Sequence, residues 1–316
     1  MRSWKLVLAL AAAVLAAGLA ALGLRATGVL DGATFSHLRS RLAGTEPIGI
    51  WQADPIYGWA HRPFASGRHR LPPDFDVRYH IDSDGHRLTP GSISGPQLLV
   101  LGCSLSFGYG VADDQAYPAL LQEAFPELRV VNAGVMAWGT AHAWLKLDEV
   151  LESRREVRLV VYGFIDHHRQ RNWRRRSWLE TLRAKHDFRN PLLAVDGERV
   201  GWTRLADPER DGLEDTPELA EAESQVTRRL IEDMAARCAR SGIPFLMVYL
   251  PDGTDFSQPH SLQPTFARLA ASGAFVDLRP RVDLARARFA HDVHLSPEGH
   301  RMVAEELVPL IRALLR

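Results

Sequence analysis

The chain has 316 residues, enough for one large α/β domain carrying an appendage. Lys plus Arg and Asp plus Glu both number 38, so no overall field marks nucleic acid or an acidic polymer as a partner. Two cysteines, Cys103 and Cys238, are too few for a disulfide framework and read as unpaired, buried thiols.

Near the start, Leu6 to Leu24 form an almost unbroken apolar run, preceded by Arg2 and Lys5 and free of charge until Arg25. As a helix it would reach roughly 28 Å, close to the thickness of a bilayer's hydrocarbon core. It is long for the apolar core of a cleaved signal, although Gly18 and Ala20 offer small residues for cleavage. The expectation is a transmembrane signal anchor over residues 1–25, with the body on the periplasmic or extracellular face; secretion after cleavage is the alternative.

Residues 26–96 read as a tether followed by a small antiparallel β extension. Val77, Tyr79 and Ile81 alternate with Arg78, His80 and Asp82, a strand pattern, and Asp82-Ser83-Asp84-Gly85 supplies a turn. Asp82-x-Asp84-Gly85 is also a fragment of a calcium loop, but the remaining ligands are missing. Tyr57-Gly58-Trp59 and Arg68-His69-Arg70-Leu71 belong to the same extension.

From Gln97 strands and helices alternate. Strands are expected at Leu98 to Leu101, Leu128 to Asn132, Val157 to Gly163, Pro244 to Leu250 and Ala274 to Leu278. Helices are expected at Tyr117 to Ala124, Ala141 to Ser153, Glu218 to Arg240, Ser261 to Ala271 and Pro297 to Leu315, the last opened by Ser296 as N-cap and Pro297 at the first position. This alternation predicts a three-layer, flavodoxin-like parallel sheet of about five strands with helices on both faces, over residues 97–316. An insertion at about 169–213 breaks the rhythm. It opens on Arg171-Asn172-Trp173-Arg174-Arg175-Arg176-Ser177-Trp178 and holds a hairpin turn at Asp196-Gly197-Glu198-Arg199. Arginines interleaved with Trp suit an anionic polymer or a lipid surface, or simply a solvated insertion whose tryptophans pack on the domain.

The chemistry gathers at two ends. Leu98 to Leu101 stop at Gly102-Cys103-Ser104, which puts Ser104 just past the carboxyl end of a strand, where open α/β sheets bind ligands. Far along the chain stands His291-Asp292-Val293-His294. There His294 would take the proton of Ser104, with Asp292 fixing the imidazole's tautomer. His291, His294 and His300, with His167 and His168, also raise a metal site, but no Cys or second carboxylate stands at ligand spacing, so neither metal nor cofactor is expected.

These residues resemble the SGNH or GDSL-like hydrolases over about Gln97 to Leu315. Gly102-Cys103-Ser104-Leu105-Ser106 is similar to the nucleophile block, with Cys103 where an Asp is usual. Val131-Asn132-Ala133-Gly134-Val135-Met136-Ala137-Trp138-Gly139-Thr140 is similar to the second block, whose glycine donates to the oxyanion. Asp292-Val293-His294 is similar to the acid and base block, in the Asp-x-His spacing of membrane-associated and polysaccharide-acetylation branches; at the commoner spacing His291 would hold the acid position. Tyr162-Gly163-Phe164-Ile165-Asp166-His167-His168 departs from the third block, with Ile165 in place of its Asn. Loss of such a donor typically costs on the order of 2.7 to 4 kcal/mol of transition-state stabilisation.

The resemblance implies acyl transfer by Ser104, Asp292 and His294, with the N–H groups of Ser104 and Gly134 as the oxyanion hole and His168, Arg169 or Asn172 as substitute donors. The expected activity is removal of small, acetyl-like groups from an acylated carbohydrate or cell-envelope ester. The alternatives are O-acylation of exported polysaccharide beside a membrane protein that supplies acyl groups, and a non-catalytic envelope scaffold or glycan-binding module.

Overall fold

A computed structural model describes residues 49–153, 155–253 and 261–316. The expected anchor over Leu6 to Leu24 and the tether that follows lie outside the described residues. Among those described, no helix is long and apolar enough to cross a membrane.

Five parallel strands form the main sheet: β5 (Gln97–Leu101), β6 (Arg129–Asn132), β7 (Val157–Phe164), β10 (Phe245–Tyr249) and β11 (Phe275–Asp277), in the order β11-β10-β7-β5-β6. This is the flavodoxin-like order, and each strand lies within two residues of its predicted bounds. Strand β5 shows why the signal was legible. It is buried on both faces, with Leu99 and Leu101 in one core and Leu98 and Val100 in the other. Each fully buried leucine or valine contributes about 1.5–3 kcal/mol.

Helices cover both faces, as predicted. Trp144 and Leu147 of α3 (Thr140–Glu152), Leu230 and Met234 of α7 (Pro217–Arg240) and Phe266 of α8 (Gln263–Ala271) fill one core. Leu121 of α2 (Tyr117–Ala124) and Val303, Leu307 and Ile311 of α10 (Pro297–Leu314) fill the other. Ser296 caps α10 as expected, accepting from Gly299 N–H. Both cysteines are free and buried.

The extension is two separate ladders: β1 (Trp51–Asp54) with β2 (Gly58–His61), and β3 (Ser66–Leu71) with β4 (Phe75–His80). Asp82 to Gly85 is the predicted turn: Asp82 Oδ1 accepts the N–H groups of Asp84 and His86, and Gly85 sits at φ +80°. Asp82, Asp84 and His86 stand close together, but Arg129 pairs with both carboxylates and Arg155 with Asp84, so the positive charge there is already supplied.

The insertion has more order than the sequence suggests. It contains α5 (Arg176–His186), the hairpin β8 (Pro191–Asp196) with β9 (Arg199–Leu205), and the turn α6 (Pro208–Asp211). Trp173 and Trp178 pack against cores. Arg175 pairs with Glu223 and Arg176 with Glu214. The tryptophans therefore pack on the domain and these arginines are matched internally, as the solvated-insertion reading expects.

Candidate active site

Strand β5 lies between β6 and β7, where the connections leave in opposite directions, so a crevice opens beyond its carboxyl end. The chain leaves β5 through Gly102. A Cβ there would lie 2.2 Å from Ser106 Oγ, and Ser106 is held in place by the Tyr117 hydroxyl at 2.8 Å. A single short helix, α1 (Ser104–Phe107), follows and puts Ser104 in its first turn. Gly108 ends it in the left-handed region at φ +87°.

The second loop hangs between α9 (Leu284–Ala287) and α10, closed at its stem by the antiparallel bridge of Arg288 with Leu295 and by Phe289 N–H donating to His294 O. Asp292 turns back on itself: its Oδ1 accepts the backbone N–H of His294 at 2.8 Å and faces the Nδ1 of the same residue at 2.6 Å. That double attachment explains how an Asp-x-His spacing orients the ring. With Nδ1–H directed to the carboxylate, Nε2 is left to accept, and it lies 2.9 Å from Ser104 Oγ. Burial would raise the Asp292 carboxyl, but the donors of His294 and the nearby charges of His294 and His69 hold it below the ordinary carboxylate range.

Of the other expected residues, Gly134 lies against the serine helix, whereas the substitute donors do not converge on this centre. The Gly134 N–H donates to Asn132 Oδ1 at 3.1 Å, so in this arrangement the donor is engaged within its own loop. Gly134 itself sits tight against α1, where a Cβ would lie 2.6 Å from the Phe107 nitrogen. His168 is a core residue, fully buried with Nδ1 on the Tyr162 hydroxyl at 2.9 Å; burial pushes its pKa well down. Asn172 is fully buried too, its Oδ1 accepting from Ala141 N–H at the start of α3 and its amide donating to Thr227. Arg169 is held by Asp166 and donates to Ser224. None of these three stands in for the missing amide, because each has its donors fixed elsewhere or lies within the core. Ile165 is itself core. The Ser104 N–H, at the first position of α1, has no intrahelical acceptor.

One residue escaped the sequence reading. Arg171, at the end of α4 (His167–Arg171), donates to Trp138 O at 3.2 Å, and its guanidinium lies within electrostatic reach of Cys103, next to Ser104, and of Asp252. Cys103 Sγ is 4.0 Å from Ser104 Oγ. Burial raises the Cys103 thiol despite the opposing pull of Arg171. The only trace of Arg171 in the sequence is a position in an Arg- and Trp-rich run, and no spacing rule singles it out.

The five histidines weighed as metal ligands are dispersed among different partners. His291 pairs with Asp74, His294 with Asp292 and Ser104, and His167 with Asp252, while His300 is buried and accepts from Tyr117 N–H.

No protein-family model matches the chain, and no curated protein matches it. Among solved structures, it is similar to the psychrotrophic esterase EstA from Pseudoalteromonas sp., at 13% identity and TM-score 0.44 over 70% of this chain and 99% of that one. It is also similar to TesA, at 17% identity and TM-score 0.40 over 69% and 99%. A third is a GDSL-like lipase from Bacteroides thetaiotaomicron, at 14% identity and TM-score 0.39 over 69% and 87%. At such identities and scores the likeness carries no argument about activity, and the chemistry rests on the chain's own geometry. That geometry defines a class: a serine, histidine and aspartate in hydrogen-bonded sequence at the strand ends of a parallel α/β sheet.

Proposed function

We propose that the chain is a serine-dependent ester hydrolase of the SGNH type that removes small acyl groups from a carbohydrate or cell-envelope substrate. The observation that carries the reading is the unbroken sequence from Ser104 Oγ through His294, 2.9 Å to Nε2, to Asp292, 2.6 Å from Nδ1. His294 takes the Ser104 proton as the hydroxyl attacks the ester carbonyl, and Asp292 stabilises the imidazolium; the same proton then goes to the departing alkoxide. Water repeats the sequence on the acyl-enzyme and frees the acid. The Ser104 N–H receives the developing oxyanion, with the Arg171 charge close to the same loop. Cell-envelope placement is supported by the apolar run Leu6 to Leu24, and the preference for a small acyl group by the resemblance of the sequence blocks.

Incubating the full chain with p-nitrophenyl acetate and with a fluorophosphonate probe tests the reading. Acetate release and labelling at Ser104 are expected, both lost in Ser104→Ala; undiminished turnover in that variant would sink the proposal. Adding a glycan acceptor to the same assay identifies a transferase by the appearance of acylated glycan.

A further inference from the structure

The small β extension meets the edge of the sheet where Arg87 bridges Asn132. We infer that its β3–β4 hairpin is part of the catalytic apparatus, with His69 a positioning residue for the Asp292–His294 pair and Asp74 the fastening of the loop that carries them. The inference rests on the ester-hydrolase reading and adds a residue set that neither the sequence blocks nor the proposed mechanism contains.

Along β3 the side chains alternate, so that Arg68 and Arg70 face solvent and His69 faces inward, fully buried. An inward strand position beside Phe75 and Tyr79 would ordinarily take an apolar residue, and a buried imidazole is costly unless it is hydrogen-bonded. His69 is hydrogen-bonded, with Nδ1 2.7 Å from the Tyr79 hydroxyl. That hydroxyl also accepts the Gly110 N–H at 2.8 Å, on the loop just after α1. The His69 ring meets Tyr109 edge-on at 4.6 Å, and Tyr109 stacks on His294 at 3.8 Å. His69 is also close enough to Asp292 to help hold its carboxyl below the ordinary range. A single inward histidine thus touches the nucleophile loop through Tyr79 and the base through Tyr109, and it stands by the acid.

The hairpin turn makes a second attachment. Asp74, its side chain only 4% exposed, accepts the His291 backbone N–H at 2.9 Å and pairs with His291 Nδ1 at 3.0 Å. His291 immediately precedes Asp292. Phe75 packs on Phe289 from the same loop at 5.2 Å, and Gly110 leaves no room between them, since a Cβ there would lie within 2.8 Å of both rings. The acid and base therefore sit on a loop tied at its stem by its own backbone and at its tip by the extension. This is how a loop with an exposed residue between its two working side chains, Val293 at 61%, is held to the sub-ångström placement that proton transfer needs.

The test uses the full chain, p-nitrophenyl acetate and the pH dependence of kcat/KM. A misplacement of about 1 Å can cost 10²-fold, so His69→Phe, which keeps the bulk and removes the hydrogen bond, is expected to lower kcat by roughly 10- to 100-fold. KM is expected to stay within about threefold, and the acid limb of the profile to move by about half a pH unit or more. Asp74→Asn should lie between His69→Phe and wild type. A folded His69→Phe enzyme with unaltered kcat and an unmoved acid limb overturns the inference. So does a loss that vanishes on cooling in step with a lowered melting point, which is the signature of packing alone. Should His69→Phe not fold, Tyr79→Phe removes only the hydroxyl partner and carries the same readout, unaltered values again overturning the inference. The two readings fail separately: full turnover in Ser104→Ala removes the hydrolase itself, whereas an inactive Ser104→Ala beside a fully active His69→Phe removes only the positioning role.

Discussion

Tyr109 lies flat on the imidazole of His294, ring centroids 3.8 Å apart and planes 18° from parallel. The stack fixes the ring's tilt while its nitrogens face Asp292 and Ser104, and in the proposed mechanism the phenol face favours the imidazolium formed when Ser104 gives up its proton. Tyr109→Ala is expected to lower kcat about tenfold with little change in KM, and Tyr109→Phe to keep most of the activity, since the face and not the hydroxyl acts on His294. Steady-state kinetics on an activated acetyl ester decide it; equal losses in the two variants would assign the effect to the hydroxyl.

Asp292 fixes the proton on His294 Nδ1. Asp292→Asn preserves the shape but presents an amide that permits the opposite tautomer, placing a proton on Nε2 where Ser104 needs an acceptor. The expected loss in kcat is on the order of 10³- to 10⁴-fold with the fold intact. Circular dichroism beside the kinetics checks that only the chemistry has changed.

Arg171 replaces nothing by position, yet its guanidinium lies within electrostatic reach of Cys103, the neighbour of Ser104. Arg171→Leu is expected to lower kcat by about 10²-fold, comparable to the loss of one oxyanion donor, and Arg171→Lys to recover only part because an ammonium does not reproduce the planar fork. Single-turnover acylation rates measure this directly. A change confined to KM would assign Arg171 to substrate binding.

Five buried imidazoles predict the response of the fold to acid. His61, His142 and His300 are pushed down to about 3 by burial, and His86 and His168 well below the ordinary value for the same reason. His142 and His300 each accept a backbone N–H on Nδ1, from Gly139 and Tyr117, which requires the neutral ring. In the unfolded chain these groups take up protons near pH 6.5, so the unfolded state binds more protons throughout the window from about 6.5 down to 3. Their stabilisation is complete above 6.5 and is lost as the pH falls, by up to about 1.4 kcal/mol per pH unit for each histidine. The melting temperature should therefore begin to fall near pH 6.5, above the carboxylate range. Replacing His300 by Gln should make that fall shallower even if it lowers stability at neutral pH.

The sheet was legible because its strands are continuous apolar runs bounded by turn residues, and Ser104 and His294 because each stands at an element boundary where a side chain can face a crevice. Helix α5 was not foreseen: Arg176 to His186 is mostly polar, and its buried Leu179 and Leu182 give too thin a stripe to register as a period. Nor was the dispersal of His168 and Asn172, whose residue types suit a donor but whose partners, Tyr162 and Thr227, are set by tertiary packing. The task of His69 was hidden for the same reason. It reads as one inward position in a short strand, and its meaning comes from a loop more than two hundred residues away.

Arg87 joins the extension to the sheet domain, its guanidinium wholly buried. It donates to the carbonyls of Phe107, Gly108 and Val111 and to Asp113, while its own backbone N–H donates to Asn132 O. Stripped of those acceptors, the charge would be stranded in a low-dielectric interior, and the carbonyls at the end of α1 would each lose one of their donors. The seam at residue 96, where the alternation of strands and helices begins, is therefore expected not to be a thermodynamic boundary. Residues 49–96 and the sheet should melt in one cooperative transition, and a fragment that starts at Gln97 would retain the strands yet lack what keeps the serine loop rigid.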